Sequence, residues 1–469
     1  MISKQAAYHE LYKSAQTAGQ SHIFRDWDAL SEIQQQQLLL QIKSIHFNEI
    51  TNLAQHHIHD DESTHFSGKI EPVHAIPIPK TTEQKLIAQK MCHIGEEALQ
   101  SGEVGVLLVA GGQGSRLGFD GPKGIFPITP VLQKSLFHLH AEKIKALSVK
   151  YRTRLPFYIM TSQANHAATL AFFAKHDYFG LDSADVFFFQ QGMLPALDGT
   201  GKMIIDAPGH LFMNPNGHGG VLEALAESSA LADMQKRGLQ HIYYFQVDNV
   251  LAKICDPVFL GYHIEAQAEM SSKVVAKRDA YEKVGVIGKI DGKLGVIEYS
   301  DLSEQDKTAT TDTGELRYNA GSIAIHIIDV AFIQQFAQHD LGLPWHVAHK
   351  KIPYLNEDGQ LVQPDAPNGY KFEKFIFDAL AFVNKSVVME VDRDEEFSPV
   401  KNSTGEDSPQ TAQQAMSRLF AKWLRQAGFT IAEPGLPKIE ISSLFATDAD
   451  EFCAKFSGQG KIDSAFYIE

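Results

Sequence analysis

The residues best suited to chemistry lie in one glycine-rich segment, Val106–Gly124 (VLLVAGGQGSRLGFDGPKG). An apolar run leads directly into five glycines that precede Lys123, and Arg116 lies among them. Glycines after a strand let backbone N–H groups approach phosphate oxygens closely, because no Cβ intervenes. A guanidinium can bind two phosphate oxygens at once, and an ammonium adds a compact point charge. The segment therefore predicts a polyphosphate site, and a plain connecting turn is the weaker interpretation.

The pattern differs from the common nucleotide-binding fingerprints. A GxxxxGK[ST] loop does not occur, and the glycine spacing does not fit the dinucleotide-binding GxGxxG motif. A serine hydrolase is also disfavoured, because the chain has no GxSxG.

A carboxylate follows another apolar run, HIYYFQVDN, at His241–Asn249. In doubly wound sheets, ligands bind beyond the carboxyl ends of the strands, which is where Asp248 falls. Mg²⁺ is usually held by one or two carboxylates together with phosphate and water. Asp248 is therefore the candidate magnesium ligand, and an aspartate that caps the next turn is the alternative.

Two other segments offer polar groups to a nucleotide or a sugar. PNGHGG, Pro215–Gly220, is a second glycine-rich loop before a predicted helix, and its His218 can donate a hydrogen bond. Gln190 and Gln191 end the run FFFQQ, where their amides could read a base edge. Taken alone, the first segment is explained equally well as a loop, and the second better as a solvated strand end.

A histidine-rich segment, HHIHDDESTH, contains residue types that bind metals. These are His56, His57, His59, Asp60, Asp61 and His65. Their irregular spacing and the lack of a surrounding framework favour a solvated loop after a helix.

The elements that position these residues change in character along the chain. Residues 1 to about 100 are predicted to be mostly helical, with one helix start at Ser31 and another helix from Thr82 to Gly102. From Val104, short apolar runs alternate with longer helical patterns, which predicts an α/β fold with a doubly wound, mainly parallel sheet.

The second half of the chain is richer in turns. Asp291-Gly292 is a predicted hairpin turn, and a helical segment is expected around Phe372–Asn384. The last residues, after Asn402, are expected to form a small α+β module. We therefore expect three parts: a helical segment at residues 1–100, a nucleotide- and sugar-binding catalytic domain at 101–385, and a small C-terminal domain at 386–469.

Length and composition exclude several classes of protein. The chain has 469 residues, 44% hydrophobic and 21% charged, which is enough for a large core and rules out a mainly disordered chain. A net charge of −15 disfavours a nucleic-acid binder. The chain has neither a long apolar membrane span nor an N-terminal apolar signal core. The three cysteines lie far apart in sequence, which favours free thiols in the cytoplasm.

Taken together and in this order, the segments resemble the eukaryotic-type UDP-sugar pyrophosphorylase family, most closely its UDP-N-acetylglucosamine branch. The matching stretches include AGGQGSRLG with PKG, FFQQGMLPA, NGHGG, VDN, VIEYS, YNAGSIAIH, PNGYKFEKFIFD and DEEFSPVKN, and they cover residues 100–405 approximately. The resemblance implies a Rossmann-like central sheet of the nucleotide-diphospho-sugar transferase type, between an N-terminal helical segment and a small C-terminal α+β domain.

The resemblance also implies transfer of a uridylyl group from UTP to N-acetyl-α-D-glucosamine 1-phosphate, with Mg²⁺ as cofactor and pyrophosphate released. It assigns catalytic roles to Arg116, Lys123 and Lys401, nucleotide contacts to Gly111, Gly112, Gln191, Gly217 and His218, sugar contacts to Glu298, Tyr299, Asn319, Lys371, Phe375 and Phe377, and metal binding to Asp248.

One departure from the branch pattern keeps a second acceptor open. The N-acetylglucosamine branch usually has Asn where this chain has His218, whereas the UDP-glucose and broad UDP-sugar branches have GHG. A UDP-glucose or broad-specificity pyrophosphorylase is therefore the alternative. A non-catalytic nucleotide-sugar sensor is a distant third, since Arg116, Lys123, Asp248 and Lys401 are all present.

Overall fold

The computed structural model describes residues 4–58, 68–338, 342–432 and 435–469. The α-helices are α1 (Lys4–Thr17), α2 (Glu32–Lys43), α3 (Phe47–His57), α4 (Thr82–Gln100), α5 (Leu136–Tyr151), α6 (His166–Lys175), α7 (Val221–Glu227), α8 (Ala230–Lys236), α9 (Pro257–Glu265), α10 (Glu304–Thr308), α11 (Val330–Gln338), α12 (Arg393–Glu396), α13 (Pro409–Gln426) and α14 (Ala449–Lys455). Short 3₁₀ helices span Ser21–Phe24, Trp27–Ala29, Ser115–Leu117, Lys123–Ile125, Asp177–Gly180, Ser183–Asp185, His218–Gly220 and Ile376–Phe382.

The strands are short, apart from β14. They are β1 (Ile70–Pro72), β2 (Val104–Val109), β3 (Phe157–Thr161), β4 (Val186–Gln190), β5 (Met193–Pro195), β6 (Leu197–Asp198), β7 (Ile205–Ala207), β8 (His210–Leu211), β9 (Met213–Pro215), β10 (His241–Gln246), β11 (Met270–Ala276), β12 (Val286–Ile290), β13 (Lys293–Ile297), β14 (Ala320–Asp329), β15 (His346–Lys350), β16 (Tyr354–Leu355), β17 (Leu361–Val362), β18 (Gly369–Glu373), β19 (Val388–Glu390), β20 (Phe429–Ile431), β21 (Ile439–Ile441), β22 (Gly460–Ile462) and β23 (Phe466–Ile468).

The chain divides into two compact units that are each discontinuous in sequence. The first unit is drawn from Met1–Ser67, Gln191–Gly220 and Leu343–Ile376, and the second unit from Gly68–Gln190, Val221–Gly342 and Phe377–Glu469. The three consecutive domains expected from the sequence stay a prediction.

The first unit combines helices α1–α3 with short antiparallel strands. Helix α2 begins where the sequence predicts, because the Ser31 side chain accepts a hydrogen bond from the Gln34 N–H and the Gln34 Oε1 accepts one from the Ser31 N–H. Buried side chains of these helices, such as Leu38 and Ile42, share one core with Phe372 of β18. Strands β15, β18 and β6 form an antiparallel sheet within this unit.

A ten-stranded mixed sheet organises the second unit, with the path β1-β12-β14-β10-β2-β3-β4. Strands β10, β2, β3 and β4 are parallel neighbours, whereas β14 runs antiparallel to β10. Residues 104–108 of β2 are buried without exception, although alternate side chains of a strand face opposite sides of its sheet. Both faces of β2 are therefore covered, as in a doubly wound fold, and the α/β class is confirmed.

The turn-rich region contains the predicted hairpin. Strands β12 and β13 pair with Ile290 opposite Lys293, so Asp291 and Gly292 form a two-residue turn. Both turn residues have positive φ, +50° and +82°. The Asp-Gly sequence fits the primed turn that matches the twist of the two strands.

Two helix predictions need correction. The segment around Phe372–Asn384 is not one helix: β18 takes its first residues and a 3₁₀ helix covers Ile376–Phe382. Pairing of β18 with β15 and β6 overrides the local pattern. The single helical pattern after Val221 is broken into α7 and α8 at Ser228, whose hydroxyl accepts a hydrogen bond from the Ala230 N–H.

The C-terminal elements pack into the main core of the second unit. Helix α13 begins at a capping box formed by Ser408 and Thr411, and its Ala412 and Met416 lie in the same apolar cluster as Val106 of β2. No helix within the described ranges is long and apolar enough to cross a lipid bilayer.

Candidate active site

The loop after β2 is folded back on itself. The Gly114 N–H donates to the carbonyl of Gly121 at 2.8 Å, and the Lys123 N–H donates to the carbonyl of Gly112 at 3.1 Å. Gly118 and Gly121 have φ values of +69° and +143°, which side chains with a Cβ rarely adopt. These glycines are therefore required by the shape of the loop itself.

Gly112 serves a different purpose from the turn glycines. It is exposed, and a Cβ added there would meet only the Lys123 Cε, at 3.9 Å. A ligand can thus approach this stretch of backbone directly. The buried Asn165 holds the stretch in place, because its Nδ2 donates to the carbonyls of Ala110, at 2.8 Å, and Gly112, at 3.3 Å.

Arg116 lies on the 3₁₀ helix Ser115–Leu117 and is exposed. Among the described residues, nothing forms an ion pair or a hydrogen bond with its guanidinium. All of its N–H donors are therefore available to an anionic ligand.

Lys123 and Asp248 are in contact at the edge of the parallel sheet. Strands β2 and β10 are in register, with Val109 opposite Gln246, so the glycine loop and Asp248 leave the sheet at the same edge. The Lys123 Nζ lies 3.3 Å from the Asp248 Oδ2, and the two side chains are 17% and 10% exposed. The structure thus brings together Lys123, a predicted phosphate-binding cation, and Asp248, the predicted metal-binding carboxylate.

Backbone pairing brings the segment that carries Lys401 to the same place. The Val400 N–H donates to the carbonyl of Asp248 at 3.0 Å. The Asn249 side chain accepts a hydrogen bond from the Ser398 N–H at 3.0 Å and donates a second one to the same segment. Asn249, which the sequence offers only as part of the VDN triplet, is therefore a clamp for this segment.

Asp407 is a second carboxylate at this site, and sequence reasoning missed it. Its backbone carbonyl accepts from the Lys401 N–H at 2.7 Å, and its Oδ2 lies 3.9 Å from the Lys401 Nζ. Burial raises the pKa of Asp407, and the nearby Asp248 carboxylate adds to the increase, although Lys401 opposes it. The site thus contains two carboxylates and two ammonium groups. Nothing in the spacing of Asp407 distinguishes it, because a turn with positive φ places it here.

The sugar-side predictions in the second unit lie around strands β13 and β14. The Asn319 Oδ1 accepts a hydrogen bond from the Lys277 N–H at 2.8 Å, which fixes its amide beside β14. Glu298 and Tyr299 follow β13, and Tyr299 is 41% exposed. A Cβ on Gly285 would lie 2.6 Å from the Val296 Cγ1, so the glycine makes room for Val296 of β13, and the Glu298 carboxylate lies beside it.

Asn319 also borders a small cavity of about 90 Å³ in the second unit. Tyr318, Arg317 and Glu390 line it as well, and burial raises the pKa of Glu390. Phe377 lies in the 3₁₀ helix Ile376–Phe382 and is half-buried.

His218 in the first unit is a half-buried, neutral imidazole that accepts a backbone hydrogen bond. The Ile376 N–H donates to its Nδ1 at 3.2 Å, and its ring stacks on Phe375 with centroids 5.2 Å apart. Burial lowers the pKa of His218 to about 4, and His346 contributes to the decrease. Since Nδ1 acts as acceptor, we assign the proton of the neutral ring to Nε2.

The glycines around His218 allow two backbone segments to pack directly together. Gly217 has a φ of +83°, and a Cβ there would lie 2.4 Å from the Lys374 carbonyl oxygen. The Gly219 N–H donates to that oxygen at 2.8 Å, and the Lys374 N–H donates to the carbonyl of Asn216 at 2.8 Å. The glycines of the NGHGG segment are therefore required by this backbone junction, and a ligand contact at His218 stays a prediction.

The remaining predictions in the first unit have less distinctive surroundings. Gln191 is buried, with 8% of its surface exposed. The Lys371 Nζ lies 4.7 Å from the centre of the Phe212 ring, and burial lowers the pKa of this lysine. His56 and His57 end helix α3, whereas His59, Asp60, Asp61 and His65 of the histidine-rich segment lie outside the described residues.

The predicted site residues are distributed over both units. The second unit holds Gly111, Gly112, Arg116, Lys123, Asp248, Glu298, Tyr299, Asn319, Phe377 and Lys401, and the first unit holds Gln191, Gly217, His218, Lys371 and Phe375. Direct contacts join Lys123 with Asp248 and His218 with Phe375.

Comparison with known proteins gives a consistent result over nearly the whole chain. The family model described as UTP–glucose-1-phosphate uridylyltransferase matches residues 47–459. The UDP-N-acetylglucosamine pyrophosphorylase of Saccharomyces cerevisiae is 39% identical, and the match covers 96% of this chain and 98% of the yeast protein. The UDP-N-acetylglucosamine diphosphorylase 2 of Arabidopsis thaliana is 38% identical, with coverage of 87% and 83%.

A solved structure agrees with these sequence matches. The uridine diphosphate N-acetylglucosamine pyrophosphorylase of Trypanosoma brucei, solved in complex with an inhibitor, is similar with a TM-score of 0.84 and 29% identity. The match covers 97% of this chain and 95% of the trypanosome chain. Similarity at this coverage extends through both units.

Proposed function

The chain belongs to the UTP–glucose-1-phosphate uridylyltransferase family, and from this premise we propose that it forms UDP-N-acetylglucosamine and pyrophosphate from UTP and N-acetyl-α-D-glucosamine 1-phosphate. The observation that carries the proposal is the Lys123–Asp248 pair beside an open glycine loop, in a chain similar over its length to pyrophosphorylases for this sugar nucleotide.

The reaction requires no nucleophile from the protein. An oxygen of the sugar phosphate attacks the α-phosphorus of UTP, and the new P–O bond forms as the bond to the departing pyrophosphate breaks. The attacking group is already an anion, so catalysis depends on in-line positioning and on neutralising charge. Cations and backbone N–H groups can do both, so no covalent intermediate with the protein is needed.

Residues of the second unit supply both the cations and the accessible backbone N–H groups. The backbone of the exposed Gly112 and of the half-buried Gly111 offers close approach to the nucleotide, and Arg116 offers a guanidinium without a competing carboxylate in the described part of the chain. Lys123 is held near the strand end by Asp248, and Lys401 forms an ion pair with Asp407. We assign Arg116, Lys123 and Lys401 to the charge that builds up on the transferred group and on pyrophosphate.

The donor set at this strand end fits a divalent cation. The Asp248 side chain is 10% exposed, and the Asp407 carboxylate is close enough to interact with it electrostatically. Mg²⁺ needs one or two such carboxylates and takes its other ligands from phosphates and water. We therefore propose Mg²⁺ on Asp248, where it would act as a Lewis acid on phosphate oxygens.

The other contacts follow the same assignment. We propose that Gln191, Gly217 and His218 contact the nucleotide, with the Nε2–H of His218 as donor. The proposed sugar contacts are Glu298, Tyr299, Asn319, Lys371, Phe375 and Phe377. Cys92, Cys255 and Cys453 are free thiols, which supports a reducing compartment, and we propose the cytoplasm.

The test is pyrophosphate release with UTP, Mg²⁺ and one acceptor at a time: the 1-phosphates of N-acetylglucosamine, N-acetylgalactosamine, glucose and galactose. The proposal expects a strong preference for the N-acetylated sugars. If glucose 1-phosphate is preferred, the acceptor is that of the UDP-glucose branch and not N-acetylglucosamine 1-phosphate. The GHGG sequence around His218 is typical of that branch. If no acceptor gives pyrophosphate release and the protein still binds UTP, the result would favour a non-catalytic nucleotide-sugar sensor.

Variants test the assigned residues. We expect Lys123→Met to lower kcat by about 100- to 1000-fold, the loss typical of removing one group that stabilises transition-state charge. Lys422→Met is the matched control, because Lys422 forms an exposed ion pair with Glu395. Asp248→Asn should raise the Mg²⁺ concentration needed for half-maximal activity. Equal turnover of the Lys123 and Lys422 variants would refute the assignment of Lys123.

A further inference from the structure

A second cluster of ionisable side chains lies away from the candidate active site. The Asp329 Oδ1 is 2.7 Å from the His241 Nδ1 and 2.8 Å from the His263 Nε2. The other ring nitrogen of His263, Nδ1, lies 2.8 Å from the Ser271 Oγ. His263 is completely buried, whereas 28% of the Asp329 side chain is exposed. These four residues form the His–Asp–His cluster.

The cluster lies at the opposite edge of the sheet from Asp248. His241 is the first residue of β10, and Asp248 comes seven positions later, just beyond the other end of this strand. At about 3.3 Å per residue, the two positions are some 20 Å apart along the strand. The proposed uridylyl transfer therefore leaves the cluster without a role.

The backbones of the cluster are fixed by regular structure. His241 and Asp329 are directly opposed in the antiparallel pair of β10 and β14. His263 lies in the last turn of α9, and Ser271 lies on β11, which pairs with β14. Side chains from β10 and α9 therefore meet one carboxylate oxygen on β14, and β11 contributes Ser271 to the far side of the His263 ring.

The proton of a neutral His263 ring can occupy either nitrogen, and only one of the two arrangements keeps the hydrogen bond to Asp329. With Nε2 of His263 protonated and donating to Asp329, its Nδ1 accepts from the Ser271 hydroxyl. With Nδ1 protonated instead, the hydroxyl becomes the acceptor and Nε2 presents a lone pair. A metal-bound histidine usually donates its other ring N–H to such a partner, which fixes the tautomer. Ser271 thus provides the support that a ligating His263 needs.

We propose that His241 Nδ1, His263 Nε2 and Asp329 Oδ1 bind one divalent transition-metal ion of the Zn²⁺ type, with solvent completing the coordination. The three atoms lie within 4.8 Å of one another. Ligands around a tetrahedral zinc are about 3.3 Å apart, as bonds of about 2.0 Å require, so the two contacts to Asp329 open by about half an ångström. The partly exposed Asp329 provides the path by which the ion enters.

On binding, each imidazole would lose the N–H bond that faces Asp329 and carry its one ring proton on the nitrogen that does not face the metal, so no proton is gained or lost by a ring that starts neutral. The ion then joins α9, β10 and β14 through one centre. Its expected effect is on stability, because the site lies at the edge of the sheet away from Asp248.

The experiment is equilibrium dialysis of the full-length protein against micromolar Zn²⁺, followed by metal analysis. We expect one tightly held ion per chain in the parent, its loss in Asp329→Asn and His263→Ala, and about 10- to 100-fold weaker binding in Ser271→Ala. The control is His56→Ala combined with His57→Ala, since the histidine-rich segment is the obvious competitor. Zinc lost from this control and retained by Asp329→Asn would overturn the proposal, as would a parent that binds none.

Two further readouts serve if His263→Ala fails to fold. Co²⁺ added to the parent should give visible ligand-field bands without thiolate charge-transfer absorption, because the cluster contains no cysteine. Stoichiometric Zn²⁺ should raise the Tm of the parent and leave that of Asp329→Asn unchanged. Thiolate bands, or equal Tm shifts in both proteins, would contradict the site.

Discussion

Lys273 offers the sharpest test of how the fold holds the segment near Asp248. The side chain is completely buried on β11, and its Nζ lies 2.8 Å from the Asp256 Oδ2 and 2.5 Å from the Glu396 Oε2. Lys253 also approaches Asp256, at 3.2 Å. Lys273→Met retains an unbranched side chain of similar size and removes the ammonium group with its charge and its hydrogen bonds.

The expected cost follows from what the substitution leaves behind. Asp256 retains Lys253, but Glu396 loses its only ion-pair partner among the described residues. Breaking a buried pair by removing one partner typically costs about 3–5 kcal/mol, because an uncompensated charge stays buried. We therefore expect the free energy of unfolding at pH 7, from urea denaturation, to fall by about 3–5 kcal/mol.

The loss should depend on pH in one direction. Burial already raises the pKa of Glu396 in the parent, although Lys273 opposes it. Without Lys273, the pKa of Glu396 rises further above its unfolded value. A carboxyl with a raised folded-state pKa binds a proton more tightly in the folded state, so its contribution to stability falls as the pH rises through that range. The destabilisation should therefore be smaller at pH 5 than at pH 8.

Two variants make the comparison decisive. Lys422→Met removes the lysine of an exposed ion pair with Glu395 and should cost at most about 1 kcal/mol. Adding Glu396→Gln to Lys273→Met should recover part of the loss, because no unpaired charge remains at that position. The reasoning fails if Lys273→Met costs no more than Lys422→Met, or if its effect is the same at both pH values.

Three further outcomes are expected. Gly217→Ala should destabilise the protein by about 2 kcal/mol or more in urea denaturation, because φ is positive and the Cβ would meet the Lys374 carbonyl at 2.4 Å; stability equal to the parent would contradict this packing. Gly292→Ala, which meets no neighbour, should cost only about 1 kcal/mol in the same assay, and a larger loss would mean that the turn has another role. Because the pKa of His218 is lowered to about 4, kcat/KM between pH 6 and 8 should have the same pH profile in the parent and in His218→Asn; an ionisation near 6.5 present only in the parent would refute the neutral assignment.

The part of the site that could be predicted from sequence depends on local pattern. The glycine loop and Asp248 each follow a short apolar run, and parallel strands place their carboxyl ends at one edge. The contact between Lys123 and Asp248 follows from this rule, although 125 positions separate them. The hairpin at Asp291-Gly292 and the helix start at Ser31 were equally accessible, because each depends on a few neighbouring residues.

The remainder of the site depends on contacts that no local pattern encodes. Asp407 reaches Lys401 through a turn with positive φ at a non-glycine residue. Asn165 holds the glycine loop from the start of α6, but neither its residue type nor its position in the sequence singles it out. The helix predicted around Phe372–Asn384 is wrong at its start, because Phe372 and Glu373 belong to β18, whose pairing with β15 and β6 decides its structure.

The His–Asp–His cluster shows why register matters more than composition. His241 and Asp329 are 88 positions apart and become neighbours only because β10 and β14 pair antiparallel with these two residues opposite each other. A slip of one residue in that pairing would turn one of the two side chains to the other face of the sheet. Strand β10 thus has polar chemistry at both ends, His241 before its apolar run and Asp248 after it. The apolar run specifies the strand, the parallel pairing with β2 forms the candidate active site at one end, and the antiparallel pairing with β14 forms the candidate metal site at the other.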